Sequence, residues 1–204
     1  RAAGVSMFAS PPSQLQAIRA LLPAARRIGV IFDPALSAGL VSELEAASST
    51  IGVSLVKKQV SSTKEVAAGA RELLSSVDAL LLIPDTTVMS AETFKFIAQT
   101  SLETKVPLVG FSEGMSKAGA VLAIEGSYEE IGKKAALTAK KMLTGGQGTR
   151  EAPEGSLFVN ATLRLQGGFL AHPARLGRAM GPQGLEFGNP LGFQPPPGVV
   201  EEYV

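Results

Sequence analysis

The chain has 204 residues, 45% of them hydrophobic and 18% charged, with a formal net charge of +1. That length holds one good core plus an appendage, or two small domains; the composition argues against wholesale disorder, and the balance of charge leaves no electrostatic footprint for nucleic acid. There is no cysteine and one histidine, His172, which removes thiol catalysis, disulfides and thiolate metal sites and speaks against a histidine-based metal site or triad within one chain.

In chain order, residues Arg1 to Ser10 read as a linker. Pro11-Pro12-Ser13 opens a helix whose Leu15, Ile18, Leu21 and Leu22 share a face, and Pro23 stops it. Arg27 to Phe32 then reads as a strand that is apolar on both alternations, with Ile28, Val30 and Phe32 facing one way and Ile31 the other. Burial on both faces is what a parallel sheet covered by helices requires. A second helix is predicted from Gly39 to Thr50, closed by Gly52, and a strand from Val53 to Val60. Ser62-Thr63-Lys64-Glu65 has the form of a capping box opening a third helix that runs to about Leu74.

Val77 to Ile83 is a further buried strand, closed by Pro84-Asp85-Thr86-Thr87. A fourth helix begins at Ser90 with Phe94, Ile97, Ala98 and Leu102 facing in. Strands are predicted at Val106 to Phe111 and Gly119 to Ile124, with a loop or short helix between them at Ser112 to Ala118. Ser127-Tyr128-Glu129-Glu130 is a second capping-box pattern, opening a long helix stopped by Gly145-Gly146. Leu157 to Val159 reads as a last short strand. The lysine pairs Lys57-Lys58, Lys133-Lys134 and Lys140-Lys141 read as solvated faces.

Strand and helix alternate, so the expected class is α/β: an open, mainly parallel sheet of about five strands with helices on both faces. The organisation expected is one lobe over residues 1–160 and an irregular Gly/Pro-rich tail over 161–204, the latter holding His172 and Pro195-Pro196-Pro197. No run reaches membrane length and no signal-type segment stands at the start, which is Arg1; a processed or cut piece is expected, and export is not excluded by it.

In the doubly wound order 2-1-3-4-5 the first and third of these strands are neighbours, and the crevice between their carboxyl ends is where open α/β sheets bind ligands. Those ends carry Asp33-Pro34-Ala35-Leu36-Ser37 and Pro84-Asp85-Thr86-Thr87, with Phe111-Ser112-Glu113 on the next strand. Asp33, Asp85 or Glu113 could accept from an ammonium or hydroxyl. Ser37 and Gly39, placed at the start of the second helix, could offer backbone N–H groups to an anion. Taken singly each has an ordinary structural reading: Ser37 as an N-cap, Asp33-Pro34 and Pro84-Asp85 as turn pairs. Enzyme signatures are missing: no Gly-x-Gly-x-x-Gly follows a strand, and there is no Walker lysine motif and no Gly-x-Ser-x-Gly elbow. Asp85 stands where a phospho-accepting aspartate would, without the acidic pair after the first strand that would hold magnesium. No cofactor, metal or catalytic residue is expected.

The run Gly4-Val5-Ser6, Leu21-Leu22-Pro23, Arg27 to Pro34, Val77 to Asp85, Val106 to Val109, Gly119 to Ala123 and Ser127 to Gly132, ending in Met142-Leu143-Thr144-Gly145-Gly146, resembles ABC-transporter substrate-binding proteins of the tryptophan-binding-protein type. The resemblance covers about residues 4–160. It implies a type I periplasmic binding-protein fold and an extracytoplasmic receptor, often lipid-anchored, that closes on a small solute such as an amino acid. The receptor then hands the solute to a membrane permease. The candidate ligand contacts are Asp33, Ser37, Asp85, Thr86, Phe111, Ser112 and Glu113 on the crevice loops, with Ser127 and Tyr128; of these, the Pro84-Asp85 and Ser127-Tyr128 turns fit the family's pattern. The family usually has Asn-Pro where this chain has Asp33-Pro34, so a change in ligand polarity is expected. The Gly4-Val5-Ser6 stretch normally follows a first lobe, so this chain corresponds to the second. The helix from Ser127 to Leu143 then has an apolar face without its usual cover, to be met by folding back, by the tail, or by homodimer formation. Two rival readings share the fold class: a ligand-sensing domain of a regulator or receptor, and a flavodoxin-like small-molecule enzyme.

Overall fold

In the computed structural model, residues 3–148, 150–153 and 155–159 are described; the expected tail at 161–204, with His172, lies outside them. The body is a six-stranded sheet in the order β3-β2-β4-β5-β6-β8. Its strands are β2 (Arg27–Phe32), β3 (Ser54–Gln59), β4 (Ala79–Leu81), β5 (Leu108–Gly110), β6 (Leu122–Gly126) and β8 (Gly155–Val159). The first five are parallel in the expected 2-1-3-4-5 order, and β8 runs antiparallel beside β6, Ile124 opposite Leu157.

The alternation along β2 sorts the core into two layers. Ile28, Val30 and Phe32 pack with Leu15, Ile18 and Leu21 of α1 (Pro11–Leu21) and Val41 and Leu44 of α2 (Pro34–Ile51). Ile31, on the other face, packs with Val66, Ala70 and Leu73 of α3 (Thr63–Leu74) and Ile97 and Ala98 of α4 (Ala91–Thr104). Gly29 is the close-approach point on that second face: a Cβ there would lie 3.0 Å from Leu73 Cγ and 3.2 Å from Val77 Cγ1.

The structure corrects several sequence expectations. Gly4–Val5 is not linker but a short strand, β1, parallel to β7 (Arg150–Glu151). Helix α2 begins at Pro34, not Gly39: Asp33 is its N-cap and proline occupies the first turn, where its missing N–H costs nothing. The amides of Leu36 and Ser37 already bond to Asp33 O, so the anion-binding start proposed for Ser37 and Gly39 is not there. At Ser62 the expected capping box is rearranged, because Glu65 accepts from the Ser61 amide and from the Ser61 and Ser62 hydroxyls. Leu102 faces outward at 44% exposed, while Thr100 and Ser101 turn inward.

Beyond the C-terminal end of β6 lies a small outboard unit: β1, β7 and α6 (Tyr128–Leu143). Helix α6 packs chiefly on β1, and Thr138 is its one buried residue. The chain crosses between body and outboard unit near Gly126, where an added Cβ would lie 2.5 Å from Met7 O and 2.9 Å from Pro153 Cγ. No helix among the described residues is long and apolar enough to cross a membrane.

Candidate functional site

Strands β2 and β4 are hydrogen-bonded neighbours, and the chain leaves them toward opposite faces, into α2 on one side and α4 on the other. Two polar turns therefore meet at the C-terminal edge, as the sequence predicts. Asp85 joins them. It is 2% exposed. Its Oδ2 accepts from the Asp33 backbone N–H at 2.8 Å and from Ser37 Oγ at 2.7 Å, reaching across to the first turn. Its Oδ1 accepts from the Thr87 and Val88 amides at 3.0 and 3.3 Å, folding its own turn around the carboxylate. A carboxylate accepting this many hydrogen bonds is held rigidly and offers little to an incoming group.

Thr87 closes the bracket from the other side: its Oγ1 donates to Asp33 Oδ2 at 2.8 Å, while Asp33 Oδ1 accepts from the Ala35 amide at 2.9 Å. Asp33 is half-buried, and each of its oxygens carries one of these bonds, so it keeps accepting capacity toward solvent. Nearby Glu65 is held below the usual carboxylate range by its hydrogen bonds from Ser61 and Ser62, against the repulsion of Asp33. No lysine or arginine forms an ion pair with Asp33, Asp85 or Glu65 among the described residues.

The third loop follows β5. Phe111 is half-buried and meets Phe8 edge-to-face, ring centroids 5.6 Å apart. Ser112 precedes α5 (Glu113–Lys117), and the Glu113 amide donates to Glu125 Oε2 at 2.8 Å, while Glu113 itself pairs with Lys117 at 2.5 Å. Ser127, at the end of β6, caps α6 by accepting from the Glu130 amide at 3.3 Å; Tyr128 follows it, 68% exposed. Thr86 is exposed at the tip of its turn.

The structure therefore binds Asp33, Ser37 and Asp85 to one another, with Thr86 beside them. Phe111, Ser112 and Glu113 sit at the end of β5, and Ser127 and Tyr128 at the end of β6. Sequence reading missed two connectors. Thr87 was visible only as part of a turn, although Asp-x-Thr is a spacing at which a side chain catches an amide two residues on. Glu125 lies twelve residues from the amide it engages, and no local pattern announces such a contact. Among the described residues, no group of three or more His, Cys, Asp or Glu could hold a metal ion.

A family model described as ABC transporter substrate binding protein matches residues 2–168. The chain belongs to this family. It is 27% identical over 144 residues to a tyrosine-binding protein of Clostridioides difficile strain R20291, a match covering 70% of this chain and 41% of that protein. Among solved structures, a conserved domain protein from Vibrio cholerae aligns with a TM-score of 0.68 at 22% identity, over 86% of this chain and 61% of that one. An ABC domain in complex with L-Trp from Streptococcus pneumonia aligns with a TM-score of 0.65 at 21% identity, over 84% of this chain and 61% of that one. At these identities the structural likeness establishes the fold. The chain thus spans about two-fifths of the curated relative and three-fifths of these structures, in keeping with one lobe of the family's fold.

Proposed function

We propose that this chain is a solute-binding lobe of an ABC importer, taking a small solute such as an amino acid at the C-terminal rim of its sheet without altering it chemically. It would act outside the cytoplasmic membrane and pass the solute to a permease. The observation that carries this reading is the Asp85 bracket, which ties the Asp33 and Asp85 turns into one rigid polar edge at the point where the strand order reverses. Preorganised edges of this kind lower the ordering cost of binding. Asp33, with accepting capacity left over, is the group placed to meet an ammonium. Phe111 and Tyr128 offer ring surface, and Ser112, Glu113, Thr86 and Ser127 line the loops around them.

Asp85 and Ser37 support the site rather than touch the solute, because their hydrogen-bonding capacity is spent on each other and on the loops. The curated relative is a tyrosine-binding protein and one structural neighbour holds L-Trp; aromatic amino acids are accordingly the first solutes to try. A single lobe leaves one side of a solute in water, so affinity is expected on the order of millimolar. The test is saturation-transfer NMR of the 204-residue chain against amino acids, sugars and small organic acids, followed by Asp33→Asn. The expected result is a signal for amino acids that weakens in the variant. A signal for none of these classes, in this chain and in a two-lobed relative carrying the same loops, refutes the reading.

A further inference from the structure

Given the solute-binding reading above, on which this rests, we propose that Phe8 is a positioning residue for the rim: it fixes the ring of Phe111 and so ties that ring to the β1–β7 ladder of the outboard unit. Phe111 directly follows β5, and its backbone is held from both sides. On the strand side, Gly110 lies so close to Met115 that an added Cβ would stand 2.8 Å from Met115 Cβ and 3.1 Å from its Sδ. On the loop side, the Glu113 amide donates to Glu125 Oε2 at 2.8 Å, which anchors the loop to β6. What the backbone leaves open is the direction of the half-buried ring. Among the described residues the aromatic ring it meets is that of Phe8, with 5.6 Å between centroids and 86° between planes. That is the edge-to-face geometry the ring quadrupole favours.

Phe8 is itself held by two different parts of the molecule. Its N–H donates to Ser6 Oγ at 3.1 Å, and the Ser6 N–H donates to Glu151 O at 2.7 Å, so the chain before it is anchored on β7. The residue after it, Ala9, is 2% exposed, accepts from Gln14 Nε2 at 2.8 Å and joins the core layer of α1. Phe111 packs instead against the layer of α3 and α4. The ring pair therefore bridges the two layers over the end of the sheet, and one of its rings stands on a segment that begins in the outboard unit. Met7, just before Phe8, is the residue whose carbonyl crowds Gly126. A displacement of Met7 reaches Phe8 within one residue, and Phe111 through the ring contact. Phe8 belongs to neither core layer, so losing its ring cuts this link without emptying a core.

Fluorine NMR of the 204-residue chain with para-fluorophenylalanine at position 111 reads the ring directly and needs no solute. Phe8→Leu should move the resonance and broaden it, as a ring released into several orientations does. Phe8→Tyr, which keeps an aromatic ring, should restore a sharp line. Gly126→Ala, which displaces Met7, should shift the line in the native background and add no shift in the Phe8→Leu background, where the link is already cut. Asp78→Asn, at the opposite edge of the sheet, should leave it unmoved. In saturation-transfer titrations with L-tyrosine as the probe, Phe8→Leu should weaken binding about three- to tenfold, the worth of one aromatic pair. Phe8→Tyr should not weaken it, and Phe8→Leu should add nothing in the Phe111→Leu background. A line as sharp in Phe8→Leu as in the native chain overturns the proposal, as does a Gly126→Ala shift equal with and without Phe8, or additive losses of L-tyrosine binding. A native chain silent toward L-tyrosine counts against the solute-binding reading, and the fluorine shifts then decide the ring link by themselves.

Discussion

Replacing Asp85 with asparagine keeps the shape of the bracket and removes half its accepting capacity. In the native chain Oδ1 serves the Thr87 and Val88 amides and Oδ2 serves the Asp33 amide and the Ser37 hydroxyl. Asparagine has one oxygen. If it stays with the turn amides, its NH₂ group faces Asp33 N–H, donor against donor, while Ser37 can rotate and accept. One buried amide is left without a partner, at about 1–3 kcal/mol, and the remaining bonds lose their charge assistance at roughly 1 kcal/mol more. Asp85→Asn should therefore cost about 2–4 kcal/mol. Ser37→Ala should cost about 1 kcal/mol, and the double variant should fall short of the sum by about 0.5 kcal/mol, because asparagine has already exchanged the charge-assisted bond to Ser37 for a neutral one. Urea denaturation followed by circular dichroism measures all three. As a control, Glu45→Gln breaks the Lys57–Glu45 pair, 2.6 Å long but with side chains 37% and 53% exposed, and should change stability by under about 0.5 kcal/mol. The reasoning is refuted if Asp85→Asn matches the native chain, or exceeds it, as happens when burying a charge costs more than its hydrogen bonds return.

Asp33→Asn should alter stability by less than about 0.5 kcal/mol, because the asparagine oxygen can keep the Ala35 cap while its NH₂ donates to Thr87 Oγ1, a hydroxyl that can turn to accept; a larger loss by the same urea assay would mean the charge itself holds the turns. Asp78 tests pH dependence. Partial burial pushes its carboxyl up, but hydrogen bonds from the Arg27 side chain and the Arg27 and Arg26 amides, with the Arg27 charge, outweigh this and hold it below its ordinary value. Its stabilisation is then present above the unfolded-state value of about 3.9 and lost as pH falls through the lower folded value. The stability gap between native chain and Asp78→Asn, about 1–2 kcal/mol at pH 7, should shrink across that acid range; a gap independent of pH would refute the assignment. Gly126→Ala drives a Cβ to 2.5 Å from Met7 O, a backbone atom that cannot step aside alone. It should cost about 1–3 kcal/mol, with faster amide exchange in β1 and α6 than in β2. Uniform exchange across both would argue against a separate outboard unit.

The parts of this fold readable in the sequence are those where one residue pattern has one physical outcome. Ile28, Val30 and Phe32 against Ile31 could only mean a strand buried on both sides, and the strand order and polar edge follow from its neighbours. The start of α2 was not legible from apolar spacing, since Pro34, Ala35, Leu36 and Ala38 are all exposed and show no buried stripe; only the Asp-Pro cap marks it. Leu102 was misread for a related reason. Periodicity reports that a helix has an apolar side and says nothing of what covers it. The bracket around Asp85 was half legible: the turns could be placed together, but not which side chain would serve the other three.

The antiparallel return of β8 alongside β6 means that α6 and β7 are an excursion pinned at both ends by one sheet edge. A peptide bond cut between Gly145 and Gly148 would therefore release nothing under native conditions. The severed C-terminal piece would stay zipped to β6, and the two fragments, expressed apart, would have a ready ladder on which to reassemble.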